Sequence, residues 1–226
     1  MIGTVRAPRR KAKKRIYCAG PLFNAKEKEE MAELASAFEA AGYRTFLPQR
    51  DGLELTICIE RLMERGVPAA VASDAMLKAI FALDVYQVIK VCDGVVVNLN
   101  GRVPDEGAVS EAALAWCAGK TLVGYKSDSR SVFLGHDNPL VVGLFGFEIR
   151  KTVGDAVEAM KRSFAVTGVS GQRREFRKAE IRTHLAFGAE IWKAMKAERG
   201  VDSVAELLRA KLDLPRIAEK DCVASR

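Results

Sequence analysis

The chain has 226 residues, 49% of them hydrophobic and 29% charged, with a formal net charge of +7. That length buries one full core with some chain left over, which favours a single domain with an extension over two equal domains. No apolar run is long enough to span a bilayer and no N-terminal segment resembles a secretory signal, so a cytoplasmic protein with no membrane partner is expected. Five cysteines with no Cys-x-x-Cys spacing, and only two histidines, indicate neither a disulfide framework nor a metal site.

The charge is unevenly spread. Residues 1–15 carry seven Lys or Arg and no acid, residues 16–159 carry 14 basic and 20 acidic groups, and residues 160–226 carry 15 and 9. An acidic core between two basic ends is not one basic face, and no aromatic interleaves the N-terminal charges to stack on bases. Residues 1–14 therefore read as a disordered basic arm, and nucleic acid is not an expected partner.

Arg15 to Ala19 reads as a short strand stopped by Gly20-Pro21. Asn24 caps a helix to about Ala41, with Met31, Leu34, Phe38 and Ala41 on one face and Gly42 at its end. Arg44 to Pro48 is a second strand, followed by a less regular region with one helix from Leu53 to Arg65. Ser73 or Asp74 then caps a long helix to about Val91, whose apolar stripe is Leu77, Ile80, Phe81, Val88 and Val91. The run Gly94 to Leu99 is a buried strand, Ala108 to Ala118 a helix closed by Gly119, and Thr121 to Tyr125 a strand. A long loop runs through Asn138, and a weaker strand near Phe147 to Arg150 and a helix from Val153 to Phe164 close the domain. Thr167 to Gly171 looks like a linker before helical segments at 174–198 and 202–212, the first with Phe176, Ile181, Leu185, Ile191 and Trp192 on an apolar side.

Strands alternating with helices imply an α/β fold, a doubly wound parallel sheet of about five strands with flanking helices, in the flavodoxin-like or Rossmann-like manner. The expected organisation is the arm at 1–14, the α/β domain at 15–166 and a helical C-terminal extension at 167–226. In such sheets ligands bind beyond the carboxyl ends of the strands. Asp105 and Glu111 lie there, Asp105 in the loop after the 94–99 strand and Glu111 in the first turns of the following helix. Two carboxylates in that place suggest chemistry on a polar small molecule.

Four motifs, Ile16 to Phe23, the helix end from Asp84 to Asp93, Asp105 to Glu111, and Asp137-Asn138-Pro139, resemble the nucleoside 2-deoxyribosyltransferases in content, order and approximate spacing over residues 15 to about 150. The resemblance implies exchange of the nucleobase of 2′-deoxyribonucleosides through a covalent glycosyl-enzyme, with no cofactor. Glu111 matches the nucleophile, Tyr17 the tyrosine that holds it, and Asp84 the acid that exchanges a proton with the base. Asp105 matches the ligand of the sugar 5′-hydroxyl, Asn138 an asparagine delivered to that hydroxyl from a neighbouring subunit, which implies a homo-oligomer, and Phe23 an aromatic packed on the base. Gln49 and Asp51 fall where the family reads the base edge.

Independent chemistry agrees with the nucleophile. Double displacement at an anomeric carbon needs an ionised carboxylate, and a helix N-terminus favours one. By position alone Glu111 also fits a helix-stabilising acid, Asp84 a surface residue, Asn138 a turn residue and Phe23 a core residue. Ser110 stands where members of the family commonly have Met or Phe, a departure that leaves deoxyribose preference open. A nucleoside 5′-monophosphate N-glycosidase would use the same nucleophile, but Asp105 would repel the phosphate. A non-catalytic nucleoside- or nucleotide-sensing module is the third reading, and the balance of transfer and hydrolysis is not encoded in these motifs.

Overall fold

The computed structural model describes residues 13–131, 137–166 and 170–198, with 203–204, 207–208 and 210–211 beyond them. Apart from Lys13 and Lys14, the basic arm lies outside the described residues. The chain divides into two compact units, Met1–Arg174 and Glu175–Arg226.

In the first unit, strands β1 (Arg15–Ala19), β2 (Arg44–Phe46), β3 (Gly94–Asn98), β4 (Thr121–Tyr125) and β5 (Ile149–Arg150) form one sheet in the order β2-β1-β3-β4-β5. Every pairing is parallel. This is a doubly wound parallel sheet of five strands, the class expected from the alternating strands and helices. The central strands are buried on both faces, which is why β3 reads as an unbroken apolar run.

Each face has its own core. Ile16, Cys18 and Val96 face helices α1 (Ala25–Ala40) and α7 (Val153–Val166), which supply Met31, Leu34, Phe38, Ala156 and Met160. Tyr17, Ala19, Val95, Val97 and Leu99 face the other way, towards Val88 and towards Ala108, Ala112 and Ala115 of helix α5 (Glu106–Cys117). Alternation along β1 thus sends Tyr17 to the α5 side.

Some helix boundaries differ from the sequence reading. Helix α4 (Ala69–Tyr86) begins directly after Pro68, several residues before Ser73, because Ala69 to Ala72 are strong enough helix formers to continue from a proline. It ends in one π-helical turn, Gln87–Val91. Its expected stripe is buried only at its C-terminal end: Val88 is fully buried, whereas Leu77 and Phe81 are 63% and 70% exposed. Helix α5 starts at Glu106, because Asp105 occupies the cap and Gly107 is helical.

Two short helices, α2 (Pro48–Asp51) and α6 (Pro139–Gly143), occupy stretches read as irregular. Helix α3 (Leu55–Met63) agrees with expectation and packs against α4. Helix α8 (Ser170–Met195) takes Ser170 and Gly171 from the expected linker, whose other residues lie outside the described ones. In the second unit Leu185 and Trp192 are exposed, and Lys196 lies over the Trp192 ring at 4.5 Å. The expected 202–212 helix is described only at the positions named above, all of them helical.

Candidate active site

Tyr17 is fully buried at the centre of β1, with its ring stacked on Phe46 at a centroid distance of 5.4 Å. Its hydroxyl donates to Oε1 of Glu111 at 2.5 Å. The small side chains of Ala108, Ala112 and Ala115 make this reach possible, since they let α5 lie close on the sheet. Glu111 stands one position before Ala112 and three after Ala108, so it is carried inward at the edge of that alanine stripe.

Burial dominates the electrostatics of Glu111. It pushes the carboxyl pKa up to about 8; the Tyr17 hydrogen bond opposes this, and the carboxylates of Asp84 and Asp105 reinforce it. The expectation that the helix terminus keeps this group ionised is therefore overturned. With α5 starting at Glu106, Glu111 sits in the second turn, where the dipole has faded, and desolvation outweighs it.

Asp84, near the end of α4, lies close enough to the Tyr17 hydroxyl for the two groups to influence each other electrostatically. Burial raises its pKa as well, against the lowering effect of the Tyr17 hydroxyl. The tyrosine itself is driven far above its usual range, by burial first and then by the two acids, so it keeps its proton throughout the ordinary pH range. One hydroxyl carries one proton. Tyr17 therefore donates to one carboxylate at a time and can accept from the other when that one is protonated. The π-helical turn that begins three residues after Asp84 is an irregularity of a kind often found at functional sites.

Asp105 is the N-cap of α5: its Oδ2 accepts from the Ala108 amide at 2.7 Å. Phe23 is not a core residue; its ring is 79% exposed in the β1–α1 loop. A capping box fixes its backbone, with Glu27 Oε2 accepting from the Phe23 amide at 2.8 Å and Asn24 Oδ1 accepting from the Glu27 amide at 3.0 Å.

The remaining expected residues are engaged elsewhere. Asn138 is exposed and caps α6, its Oδ1 accepting from the Leu140 amide at 2.9 Å. Among the described residues it hydrogen-bonds to none of Tyr17, Asp84, Asp105 and Glu111. Gln49 donates to the Lys28 carbonyl of α1 at 2.8 Å. Asp51 accepts from the Leu47 amide at 2.8 Å and pairs with Arg50 at 2.9 Å. Ser110 is exposed and donates to the Glu106 carbonyl at 2.8 Å.

Sequence reasoning passed over the Lys126–Asp137 ion pair, 2.5 Å long, whose side chains are only 2% and 9% exposed. A lysine closing the apolar strand β4 was the available signal. The pair anchors the residue immediately before Asn138.

No curated protein matches the chain significantly. Among solved structures, a conserved protein from Enterococcus faecalis V583 is 21% identical with a TM-score of 0.51, over 67% of this chain and 99% of that one. A 2-deoxyribosyltransferase from the psychrotolerant bacterium Bacillus psychrosaccharolyticus is 15% identical with a TM-score of 0.48, over 62% and 88%. A protein-family model described as nucleoside 2-deoxyribosyltransferase matches residues 16–176, most of the chain. By that match the chain belongs to the nucleoside 2-deoxyribosyltransferase family.

Proposed function

We propose that the chain exchanges the nucleobase of 2′-deoxyribonucleosides through a covalent deoxyribosyl–Glu111 intermediate. The observation that carries this reading is the buried hydroxyl of Tyr17, bonded to Glu111 at 2.5 Å with Asp84 close enough to act on the same group. Two carboxyl groups with unequal surroundings around one neutral donor suit a double displacement, which needs one acid ionised and the other protonated.

In the productive state Glu111 is the anion and Asp84 holds the proton. A proton on Glu111 reaches that state by passing to the Tyr17 oxygen while the Tyr17 proton passes to Asp84, so the phenol never carries net charge. A Glu111 oxygen then bonds to C1′ as the C1′–N bond breaks; its electron pair leaves with the base, which takes the proton of Asp84. The incoming base gives a proton back to Asp84, attacks C1′ and releases Glu111, and water in its place gives hydrolysis. Asp105 accepts from the 5′-hydroxyl, Phe23 packs on the base, and a homo-oligomer brings Asn138 of a neighbouring copy to the sugar. A cytoplasmic place in deoxyribonucleoside salvage follows from such substrates.

The test is incubation with deoxyinosine and adenine, alongside dCMP and dGMP, for wild type and Glu111→Ala. Deoxyadenosine formed by wild type alone supports the reading. Base released only from the monophosphates, or equal turnover by both proteins, contradicts it.

A further inference from the structure

Helix α4 carries a feature that the proposed chemistry has not used. Leu77, Phe81, Asp84 and Val88 follow one another at spacings of four, three and four, so they share one face of the helix, and consecutive members are neighbours. The bottom of that stripe is in the core: Val88 is fully buried against the α5 side of the sheet. One turn up, Asp84 is half-buried near the Tyr17 hydroxyl. Above Asp84 the stripe is not covered by the described residues, with Phe81 70% and Leu77 63% exposed.

This exposure is not a frayed helix end, because α4 runs on to Ala69, and Ala72 and Met76 are buried on another side of it. Helical side chains lean towards the N-terminus, so the Phe81 ring stands over the turn beyond Asp84, away from the core. It is a large aromatic surface continuous with the carboxyl group that, in the reading above, meets the base.

We propose that Phe81, extended by Leu77, is the apolar wall on which the nucleobase packs while it exchanges a proton with Asp84. A planar heteroaromatic base fits this surface chemically: it has a π face for the ring and an edge nitrogen for the acid one turn away. Stacking on an exposed phenyl ring also tolerates a change of base, as an exchange between two bases requires. The proposal rests on the nucleoside reading only for Asp84's partner.

The test measures adenine binding to the full chain by calorimetry for wild type, Phe81→Ala and Phe81→Trp, with sedimentation of each to report the assembly, and transfer from deoxyinosine run in parallel. Phe81 is exposed, so removing the ring leaves the core intact. The proposal predicts adenine binding about 10- to 100-fold weaker in Phe81→Ala and kept in Phe81→Trp, at unchanged sedimentation. In transfer, KM for the acceptor base rises while kcat at saturating base stays within about threefold, and more of the sugar is lost to water. Equal adenine binding by wild type and Phe81→Ala overturns the proposal, as does no binding by either. A lighter assembly of Phe81→Ala also overturns it, because the stripe is then a subunit contact. Wild type that binds adenine through Phe81 and yet transfers no sugar sinks the transferase reading and leaves the wall standing.

Discussion

The Tyr17 hydroxyl and Glu111 Oε1 meet at 2.5 Å although 94 positions separate them in the chain. The contact depends on the alternation that turns Tyr17 towards α5 and on the alanines that let α5 approach. It places a neutral donor against a carboxyl group whose pKa burial raises, and the donor opposes that rise.

Removing the donor therefore has a signed consequence. In Tyr17→Phe the group that lowers the Glu111 pKa is gone, and the pKa moves further above about 8. The acidic limb of the kcat/KM profile should shift to higher pH, with activity at pH 7 about 10²-fold lower, as for loss of a hydrogen bond to a charged group in a dry site. A pH profile of the variant checks this, and an unmoved acidic limb would count against the contact.

Glu111 itself should destabilise the fold at alkaline pH. Its pKa is 4.5 by ordinary reference and about 8 in place, so the folded state binds more protons between those values and stability falls as pH rises through them. At about 1.4 kcal/mol per pKa unit this reaches several kcal/mol above pH 8. Glu111→Gln, which keeps the acceptor for Tyr17 and never ionises, should match wild type near pH 4 and melt roughly 5–10 °C higher at pH 9. Thermal melts of both proteins across that range decide it.

Asp105 carries two roles that separate by substitution. Asp105→Asn keeps an N-cap side chain for the Ala108 amide and should leave Tm nearly unchanged, whereas Asp105→Ala loses the cap, about 1 kcal/mol. Both remove a charge that raises the Glu111 pKa, so the acidic limb of the activity profile should move to lower pH in each. Calorimetry paired with the pH profile resolves the two effects.

The buried pair behind Asn138 gives a packing prediction. Lys126→Met strands the Asp137 carboxylate in the core and should cost about 3–5 kcal/mol, while Lys126→Met combined with Asp137→Leu recovers much of that loss. Urea titration of the single and double variants measures the difference, and equal stability of the two would show that the carboxylate is not the source.

The strands and the main helices were legible because their signals are local. Arg15 to Ala19 reads as a short strand and Gly94 to Leu99 as a buried one from composition alone, and Asn24 announces α1. Position within the site was less so. That Glu111 sits in the second turn of α5 depends on Asp105 taking the cap, one choice among several acids and glycines. Its protonation depends on how deeply the alanine stripe draws it in, which no local pattern reports. Leu77 and Phe81 match a buried stripe by spacing, yet they are exposed because α4 outruns the core that covers Val88. The meeting of Asp84 with Tyr17 joins β1 to α4 across three intervening helices and follows only from the closed fold.

The central claim is the bond between Glu111 and the sugar. Wild type mixed with excess deoxyinosine and no acceptor base, quenched in acid within one turnover and digested, should give a peptide containing Glu111 heavier by one deoxyribosyl group, and addition of adenine before the quench should discharge it as deoxyadenosine. Product formed with no labelled peptide, or with the label on another residue, would contradict the account.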